Sequence, residues 1–448
     1  MRNSITISTL ALTTSLLSGC LVQMPGNLDV GEETSSEETE ASTTEDETTT
    51  GEPEPEPPGI DGDGCQDAVD ILVVVDNSGS MGLFQRRLAE SIESLLHPLD
   101  DAGVDWRLGV TTTDVGNPWC PPASTTPEAG NLQMRACNDH LDDFLFNNGQ
   151  LDLRDIACNE VCPFVPGKLD PIPTTTHVDP NPAPRPWLER IDGQSNLAAD
   201  IDPALASLCL IPQGANGCGF EQPLRAMELA IQRASDELSP QYGFIRPDAS
   251  LLVVIVTDEV DCSHNDLHTS IFESNGLKTF WSDPLAAFPS SAVCWNAGVD
   301  CTGDPDSLDC QAVNKNPDGS PGDTVSSSLL SVESFIDLLD SIEDWKRDTD
   351  PGADVGMLVV SGLGLDDQLH YTDVSATDPG FQDSFGVGPG CTDDTFPEEF
   401  GGGQALPPVR MLEVASHVSS APLASICAPS YEQRFAGVLD SLIGSCDE

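Results

Sequence analysis

The residues best suited to chemistry lie in the segment Asp76-Asn77-Ser78-Gly79-Ser80, which offers one carboxylate and two hydroxyls. Gly79 allows the backbone to turn tightly between the two serines. Hard cations such as Mg²⁺ prefer oxygen ligands, and a site with few protein carboxylates keeps positions for water or an outside ligand. The segment therefore predicts a divalent-cation site for Mg²⁺, with Mn²⁺ or Ca²⁺ as alternatives. The competing interpretation is a turn that caps a helix.

A strand and a helix must position this segment. The run from Val69 to Val75 is apolar except for Asp70, which is typical of a strand buried on both faces of a parallel sheet. From Leu83 to Leu96, apolar residues recur at spacings of three and four, which indicates an amphipathic helix. The segment thus lies where a strand turns into a helix, the edge at which open α/β sheets bind ligands.

A second buried strand also ends in an acid. Ser250 to Val256 is a continuous apolar run, and Thr257 and Asp258 follow it directly. Two such strands separated by helices predict a doubly wound, mostly parallel α/β sheet flanked by helices. In that fold we expect Asp76 and Asp258 to converge on one ion.

Together these two segments resemble the metal-ion-dependent adhesion site of von Willebrand factor type A domains, whose pattern is Asp-x-Ser-x-Ser. The resemblance implies that Asp76, Ser78 and Ser80 hold Mg²⁺ directly or through water. It also implies that Asp258 holds the ion through water. By the same resemblance the domain is an adhesion or interaction module whose partner completes the metal shell.

The third element of that family, a threonine in the loop before the middle helix, is missing here. The loop runs from Gly217 to Leu224 and contains Glu221 instead. Two interpretations of Glu221 stay open: a carboxylate ligand for the metal, or an acidic residue that caps the helix. The segment Thr111–Asp114 is a further candidate, with less weight because we expect it on a hairpin-side strand.

The predicted domain, residues 65–448, is longer than the usual type A domain of about 200 residues. The excess lies in three irregular, disulfide-rich insertions near 115–216, 259–326 and 362–405. We expect these insertions to shape the partner surface, because loops on a rigid scaffold commonly carry recognition. The expected bridges are among Cys120, Cys137, Cys158 and Cys162, and between Cys209 and Cys218, Cys301 and Cys310, Cys391 and Cys427, and Cys65 and Cys446.

The N-terminal part of the chain predicts export and lipid anchoring. Residues 1–19 combine Arg2 with a short apolar stretch, as in a signal peptide. The sequence Leu17-Ser18-Gly19-Cys20 resembles the bacterial lipobox, which implies that Cys20 is lipidated. Residues 20–64 then form an acidic Glu/Thr/Ser/Pro tether expected to be disordered. No Asp follows Cys20, which by resemblance to Gram-negative sorting rules favours the outer membrane.

Charge and cysteine content limit the function classes. The chain of 448 residues has 18 Lys and Arg against 75 Asp and Glu, a formal net charge of −57. Nucleic-acid binding is excluded, because it requires a basic surface. Of the 15 cysteines, Cys20 is assigned to the lipid, and the even remainder is typical of an oxidised, exported protein.

The sequence therefore predicts a non-enzymatic envelope lipoprotein that binds a protein or glycan ligand offering a carboxylate. Two alternatives are a metal-dependent hydrolase and a structural scaffold with a non-functional metal site. His264 and His268 could form a zinc site, but Asn265 stands where a zinc hydrolase would need a glutamate. We expect these two histidines to be solvated in a loop.

Overall fold

The apolar run that contains Asp70 forms an inner strand of a seven-stranded sheet in the computed structural model of the protein. The structure describes residues 67–120, 125–147, 149–396 and 403–443. These residues all belong to one compact unit, Pro57–Glu448. The predicted signal peptide, the lipidation site at Cys20 and the tether at 20–64 lie outside the described residues.

The two longest strands of the described residues, with eight residues each, lie in the central sheet. In chain order the strands are β1 (Ala68–Val75), β2 (Asp105–Thr112), β3 (Leu145–Phe146), β4 (Leu151–Asp152), β5 (Leu188–Ile191), β6 (Gln194–Ser195), β7 (Ser250–Val256), β8 (Val299–Asp304), β9 (Ser307–Ala312), β10 (Val355–Ser361), β11 (Cys391–Thr392), β12 (Gln404–Ala405) and β13 (Leu423–Ser425).

The central sheet has the strand order β13-β10-β7-β1-β2-β5-β6 and is mostly parallel. Strands β13, β10, β7, β1 and β2 run in one direction, whereas β5 is antiparallel to β2 and β6 is antiparallel to β5. The carboxyl ends of β1, β2 and β7, three adjacent strands, therefore share one edge of the sheet. Short antiparallel hairpins pair β3 with β4, β8 with β9 and β11 with β12.

Helices connect and cover these strands. They are α1 (Gly82–Ala102), α2 (Pro203–Leu210), α3 (Pro223–Ala234), α4 (Ala292–Gly298), α5 (Val332–Thr349), α6 (Pro379–Phe385), α7 (Val409–Ala415) and α8 (Glu432–Ile443). Short 3₁₀ helices span Cys137–Asp139, Leu141–Phe144 and Asp266–Phe272, and a π-helical turn spans Asp155–Asn159. Among the described residues, no helix combines the length and apolar content needed to cross a bilayer.

Both faces of β1 are buried, as its near-continuous apolar sequence predicts. Ile71 and Val73 pack in a core cluster with residues of α1, α2 and α8. Leu72 and Val74, which point to the opposite face, are also fully buried. Helix α3 contacts β1 and β2, and α5 and α7 contact β10. The site-bearing edge is thus held by strands that are packed on both sides.

The structure shifts several predicted elements. The sequence pattern predicts helices over 328–345, 406–418 and 431–443. Helix α5 begins and ends four residues later than the first of these, α7 is shorter than the second, and α8 matches the third closely. The block at 115–216 is more regular than expected, because it supplies β5 and β6 to the central sheet and α2 to the core.

Disulfides connect the insertions to the core. Those between described residues are Cys120–Cys218, Cys137–Cys158, Cys162–Cys209, Cys262–Cys294, Cys301–Cys310 and Cys391–Cys427. The last two pairs confirm their predictions. The predicted Cys209–Cys218 bridge is wrong, because Cys209 lies on α2 in the core whereas Cys218 lies in the loop beside Asp114.

The four-cysteine group of the first insertion is only partly self-contained. Cys137 and Cys158 pair with each other, but Cys120 and Cys162 pair with cysteines outside the group. The predicted Cys65–Cys446 bridge lies outside the described residues.

Candidate metal centre

Strand register explains why the chemical residues meet. Val75 pairs with Thr112 of β2 and with Val256 of β7. The next residue of each strand therefore lies at the same edge, and these residues are Asp76, Thr113 and Thr257. The backbone continues the ladder there, since the Asp76 N–H donates to the Val256 carbonyl at 2.9 Å. Three adjacent strands thus deliver oxygen-bearing side chains to one place.

Both carboxylate oxygens of Asp76 are engaged. Oδ1 accepts the Ser78 backbone N–H at 2.7 Å, and Oδ2 accepts the Thr257 hydroxyl at 2.6 Å. Gln85 of α1 holds the backbone of the turn that begins at Asp76. Its side-chain amide donates to the backbone carbonyls of Asp76 and Gly214, both at 2.7 Å. The Asp76 side chain is therefore oriented by Ser78 and Thr257, and its backbone is held by Gln85.

The two serines connect Asp76 to Asp258. The hydroxyls of Ser78 and Ser80 are 3.2 Å apart. Ser80 also hydrogen-bonds with the Asp258 side chain, whose backbone carbonyl accepts the Leu406 N–H at 2.8 Å. Asp258 Oδ1 is buried and has no hydrogen-bond partner. The structure thus brings together four of the residues that the sequence predicts for one ion.

Glu221 reaches the same edge from the loop before α3. The Thr113 hydroxyl donates to Oε2 of its carboxylate, and Oε1 is buried without a partner. Its backbone carbonyl accepts the Cys262 N–H at 2.7 Å, which fixes the loop against the segment after β7. The Glu221 side chain therefore points toward the predicted centre.

The first amides of α3 have other partners than Glu221. The Leu224 N–H donates to Asp261 Oδ1 at 3.4 Å, and the Arg225 N–H donates to the Ser263 hydroxyl at 2.9 Å. Helix α3 is capped from the segment after β7. Of the two interpretations of Glu221, helix capping is therefore the one that these contacts disfavour.

Burial raises the pKa of every carboxyl in this group. Burial, opposed by hydrogen bonds from Thr257 and Ser78, raises the pKa of Asp76 to about 6. Burial and the negative charge of Asp76 raise the pKa of Asp258 to about 8. The pKa of Glu221 is raised well above its ordinary value by burial first and by Asp76 next. These carboxyls repel one another in a poorly solvated space.

Two further acids stand at the border of the group. Burial and the charges of Asp258 and Asp76 raise the pKa of Glu259, although its side chain keeps some solvent exposure. Burial also raises the pKa of Asp114, which accepts the Gly116 N–H at 2.8 Å. The edge therefore gathers five carboxyls.

No basic side chain compensates these five carboxyls within the part of the chain that the structure describes. The nearby arginines pair elsewhere: Arg87 lies 2.6 Å from Asp393, and Arg410 lies 2.9 Å from Asp261. Buried carboxylates ordinarily have a cationic partner or remain protonated. The raised pKa values mean that part of this group stays protonated in the absence of a cation. Such a group of buried oxygens is chemically suited to exchange its protons for a divalent cation.

Thr113 lies closer to the predicted metal site than its sequence pattern indicated. Its strand was expected at a hairpin, but β2 runs parallel to β1, which places Thr113 beside Asp76 and against Glu221. Thr257 and Glu259 were not singled out at all. The signal for Thr257 was available, because it is the first residue after a buried strand that pairs with β1 in register.

The histidines do not form the alternative zinc site. His264 is buried rather than solvated as expected, and it precedes the 3₁₀ helix Asp266–Phe272, on which His268 lies. The two therefore share no helical face. The His264 ring packs edge-on against Phe272 and fills part of a core cluster.

A separate group of possible ligands lies on the other side of α1. His97, Asp100 and Asp202 place one ligand atom each within 4.8 Å of one another. All three already have protein partners. His97 lies 2.9 Å from Glu93, Asp100 accepts the Trp106 indole N–H at 2.7 Å, and Asp202 caps α2. This group has the contacts of a structural cluster.

Comparison with protein-family models gives no match for this chain, and comparison with curated proteins gives none either.

Proposed function

We propose that the carboxyl edge of β1, β2 and β7 holds a divalent cation, and that the cation binds an oxygen ligand of a partner. Asp76, Ser78 and Ser80 would hold the ion on one side, with Asp258 and Glu221 on the other. Mg²⁺ fits the hydroxyl-rich set best, and Mn²⁺ or Ca²⁺ are the alternatives. The protein would act as a binding module rather than as an enzyme.

One observation carries this proposal: the buried acids lack a cationic partner while two of their oxygens lack any partner. Glu221 Oε1 and Asp258 Oδ1 are both buried without a hydrogen bond. An unsatisfied buried carboxylate oxygen costs free energy that a bound cation would recover.

The wider setting of this proposal follows from the sequence. The mostly parallel sheet, with ligand residues where the chain order reverses between β1 and β7, supports a doubly wound arrangement similar to the type A fold. The lipobox supports an envelope lipoprotein anchored at Cys20 in the outer membrane. The partner would be a protein or glycan that offers a carboxylate to the ion.

Calorimetric titration of the full chain with Mg²⁺, Mn²⁺ and Ca²⁺ tests the metal site. We expect saturable binding heats for the wild type. For Ser78→Ala we expect either no binding heats or an affinity for the metal at least about tenfold lower. Ser341→Ala removes an equivalent hydroxyl from an exposed position of α5 and should behave as wild type. Identical heats for the wild type and Ser78→Ala would refute the site.

The enzyme alternative has a separate test. A metal-dependent hydrolase would turn over an ester, peptide or glycan substrate and would stop on Asp76→Ala. A binding module would show metal-dependent partner capture without turnover. A scaffold would keep its partner after Asp76→Ala with the fold intact.

A further inference from the structure

An exposed aromatic ring lies on the metal-binding turn itself. Phe146 is 39% exposed, although large apolar side chains are usually buried. A Cβ atom added at Gly79 would lie 2.8 Å from Phe146 ring carbons, so the ring rests directly on the glycine between Ser78 and Ser80. Hairpin β3–β4 of the first insertion thus places an apolar surface next to the proposed ion.

A pair of aromatic rings borders the same edge from two other loops. Trp119 is 38% exposed and Phe288 is 66% exposed, and their ring centroids are 5.6 Å apart. The Cys120–Cys218 bridge fixes the Trp119 loop, and the Cys218 N–H donates to Asp114 at 3.3 Å.

Ser291 connects the Phe288 loop to the acids of the centre. Its hydroxyl donates to the Gly219 carbonyl at 3.3 Å, and it hydrogen-bonds with the Glu259 side chain. Phe146, Trp119 and Phe288 therefore border the acids from more than one loop, and we call these three residues the aromatic rim.

The shape of the rim distinguishes two classes of partner. The rings of Trp119 and Phe288 are tilted by 45°, so they form a notch rather than a flat platform. A sugar ring could lie flat on only one ring of such a tilted pair, whereas the notch accepts the edge of an aliphatic or aromatic side chain in contact with both rings. Exposed aromatic residues beside a polar centre are also typical of protein-binding hot spots.

The surrounding charge restricts the partner further. Once a divalent cation displaces their protons, the four acids Asp76, Asp258, Glu221 and Glu259 carry four negative charges against its two positive ones. The whole chain has a formal net charge of −57. A partner carboxylate that approaches the ion would be repelled unless basic groups accompany it.

Resting on the proposed function, we infer that the partner is a protein segment that combines three kinds of side chain. It presents one Asp or Glu to the ion, a neighbouring aliphatic or aromatic side chain to the aromatic rim, and Lys or Arg on the flanks. The acid supplies the metal ligand, and the apolar and basic neighbours supply most of the selectivity.

Selection from a phage-displayed library of random heptapeptides tests this inference. The full chain is immobilised in Mg²⁺, bound phage are eluted with EDTA, and the selection is repeated on Phe146→Ala, on Asp76→Ala and on Leu238→Ala. Leu238 is 93% exposed and lies between α3 and β7, away from the carboxyl edge, so it is a matched control for losing an exposed apolar side chain. Calorimetry with Mg²⁺ on each preparation comes first.

We expect the wild type and Leu238→Ala to enrich an acid next to an apolar residue with basic flanks. Phe146→Ala should keep its Mg²⁺ heats and its EDTA elution but lose the apolar preference, with affinity for the enriched peptide at least about tenfold weaker. Asp76→Ala should enrich nothing.

Other outcomes overturn the inference. Enrichment of acidic peptides without apolar or basic neighbours would show that the aromatic rim does not contribute to recognition. Selection of the same motif on Phe146→Ala would show the same. Mg²⁺-dependent binding to a glycan array without peptide enrichment would identify a glycan partner instead. Absence of binding heats in the wild type with Mg²⁺, Mn²⁺ and Ca²⁺ alike would refute the proposed function itself, which separates that failure from a failure of the rim alone.

Discussion

Strand β1 carries a buried carboxylate near each end, and the two have opposite surroundings. Near its amino end, Asp70 accepts the Arg246 backbone N–H at 2.6 Å and the Arg246 side-chain Nε at 2.8 Å. At its carboxyl end, Asp76 lies among other acids with no basic partner in the described residues. Both carboxylates are fully buried. One end is electrostatically complete, and the other lacks the positive charge that would balance it.

The amino end extends this balance to its neighbours. Arg107 Nε donates to Glu189 at 3.0 Å, and the Lys346 ammonium donates to the Arg246 carbonyl at 2.6 Å. Burial lowers the pKa of Lys346 to about 8. Burial of an acid is therefore not itself a sign of function. A missing counter-charge distinguishes the carboxyl edge from the structural ion pairs at the amino end.

The largest effect should come from breaking the balanced end. Arg246→Met leaves Asp70 buried without its partner, and we expect the free energy of unfolding to fall by about 3–5 kcal/mol. Urea unfolding followed by tryptophan fluorescence measures this change. The loss should be the same with and without Mg²⁺. A loss below about 1 kcal/mol would mean that Asp70 does not depend on Arg246, so that the two ends of β1 would not differ in this respect.

The next effect concerns the incomplete end. Mg²⁺ at 100 times its dissociation constant should stabilise the wild type by about 2.7 kcal/mol, and Asp76→Asn should lose most of this gain. The metal-free variant should be at least as stable as the wild type at pH 8. Asn keeps an acceptor for Ser78 and a donor for Thr257 while it removes one of the repelling charges.

The matched control for this variant lies on the same strand. Asp70→Asn should lower the stability of the metal-free protein and leave the Mg²⁺-induced gain intact. Thermal unfolding with and without Mg²⁺ compares the two variants directly. Equal Mg²⁺ responses in Asp76→Asn and wild type would contradict the assignment of the ion to this end.

The pH dependence should separate the ends by sign. The pKa values of Asp76 and Asp258, about 6 and about 8, lie above the ordinary value of 3.8, so the metal-free folded state binds more protons than the unfolded state in this window. The free energy of unfolding should therefore decrease as pH rises from about 4 to about 8. Lys346, whose pKa is lowered, should instead add stability as pH rises above about 8.

Mg²⁺ should reverse the first trend, because the cation competes with protons for the same carboxylates. Melting temperatures measured across this pH range with EDTA and with Mg²⁺ provide the check. A metal-free protein whose stability rises steadily from pH 4 to pH 8 would show that these acids have cationic partners after all.

The sequence predicted that Asp76 and Asp258 converge at the carboxyl edge, because two local patterns indicate it. An apolar run that ends in an acid fixes both a buried strand and the position of its polar end, as for β1 with Asp76 and β7 with Asp258. No local pattern indicates the direction of β2, because the residues at 105–112 are equally compatible with a parallel and an antiparallel strand. The position of Thr113 beside Asp76 and Glu221 was therefore not predicted.

Contacts between distant segments could not be predicted for a related reason. Cys209 and Cys218 are close in the chain, but a helix in the core and a loop at the edge separate them, and their bridges go to Cys162 and Cys120. The caps of α3 likewise come from Asp261 and Ser263, which follow β7. Such contacts depend on the path of the whole chain rather than on any local pattern.

The smallest effect should come from a residue that only positions Asp76. Thr257→Val removes the hydroxyl that donates to Asp76 Oδ2 at 2.6 Å but keeps the β-branched shape at the strand end. We expect Mg²⁺ affinity to fall by about tenfold, since partners that orient a metal ligand typically contribute at this level. Thr257→Ser keeps the hydroxyl and should retain affinity close to wild type in calorimetric titration. If Thr257→Ser and Thr257→Val lose affinity equally, shape rather than the hydrogen bond orients Asp76, and the incomplete end owes its geometry to packing alone.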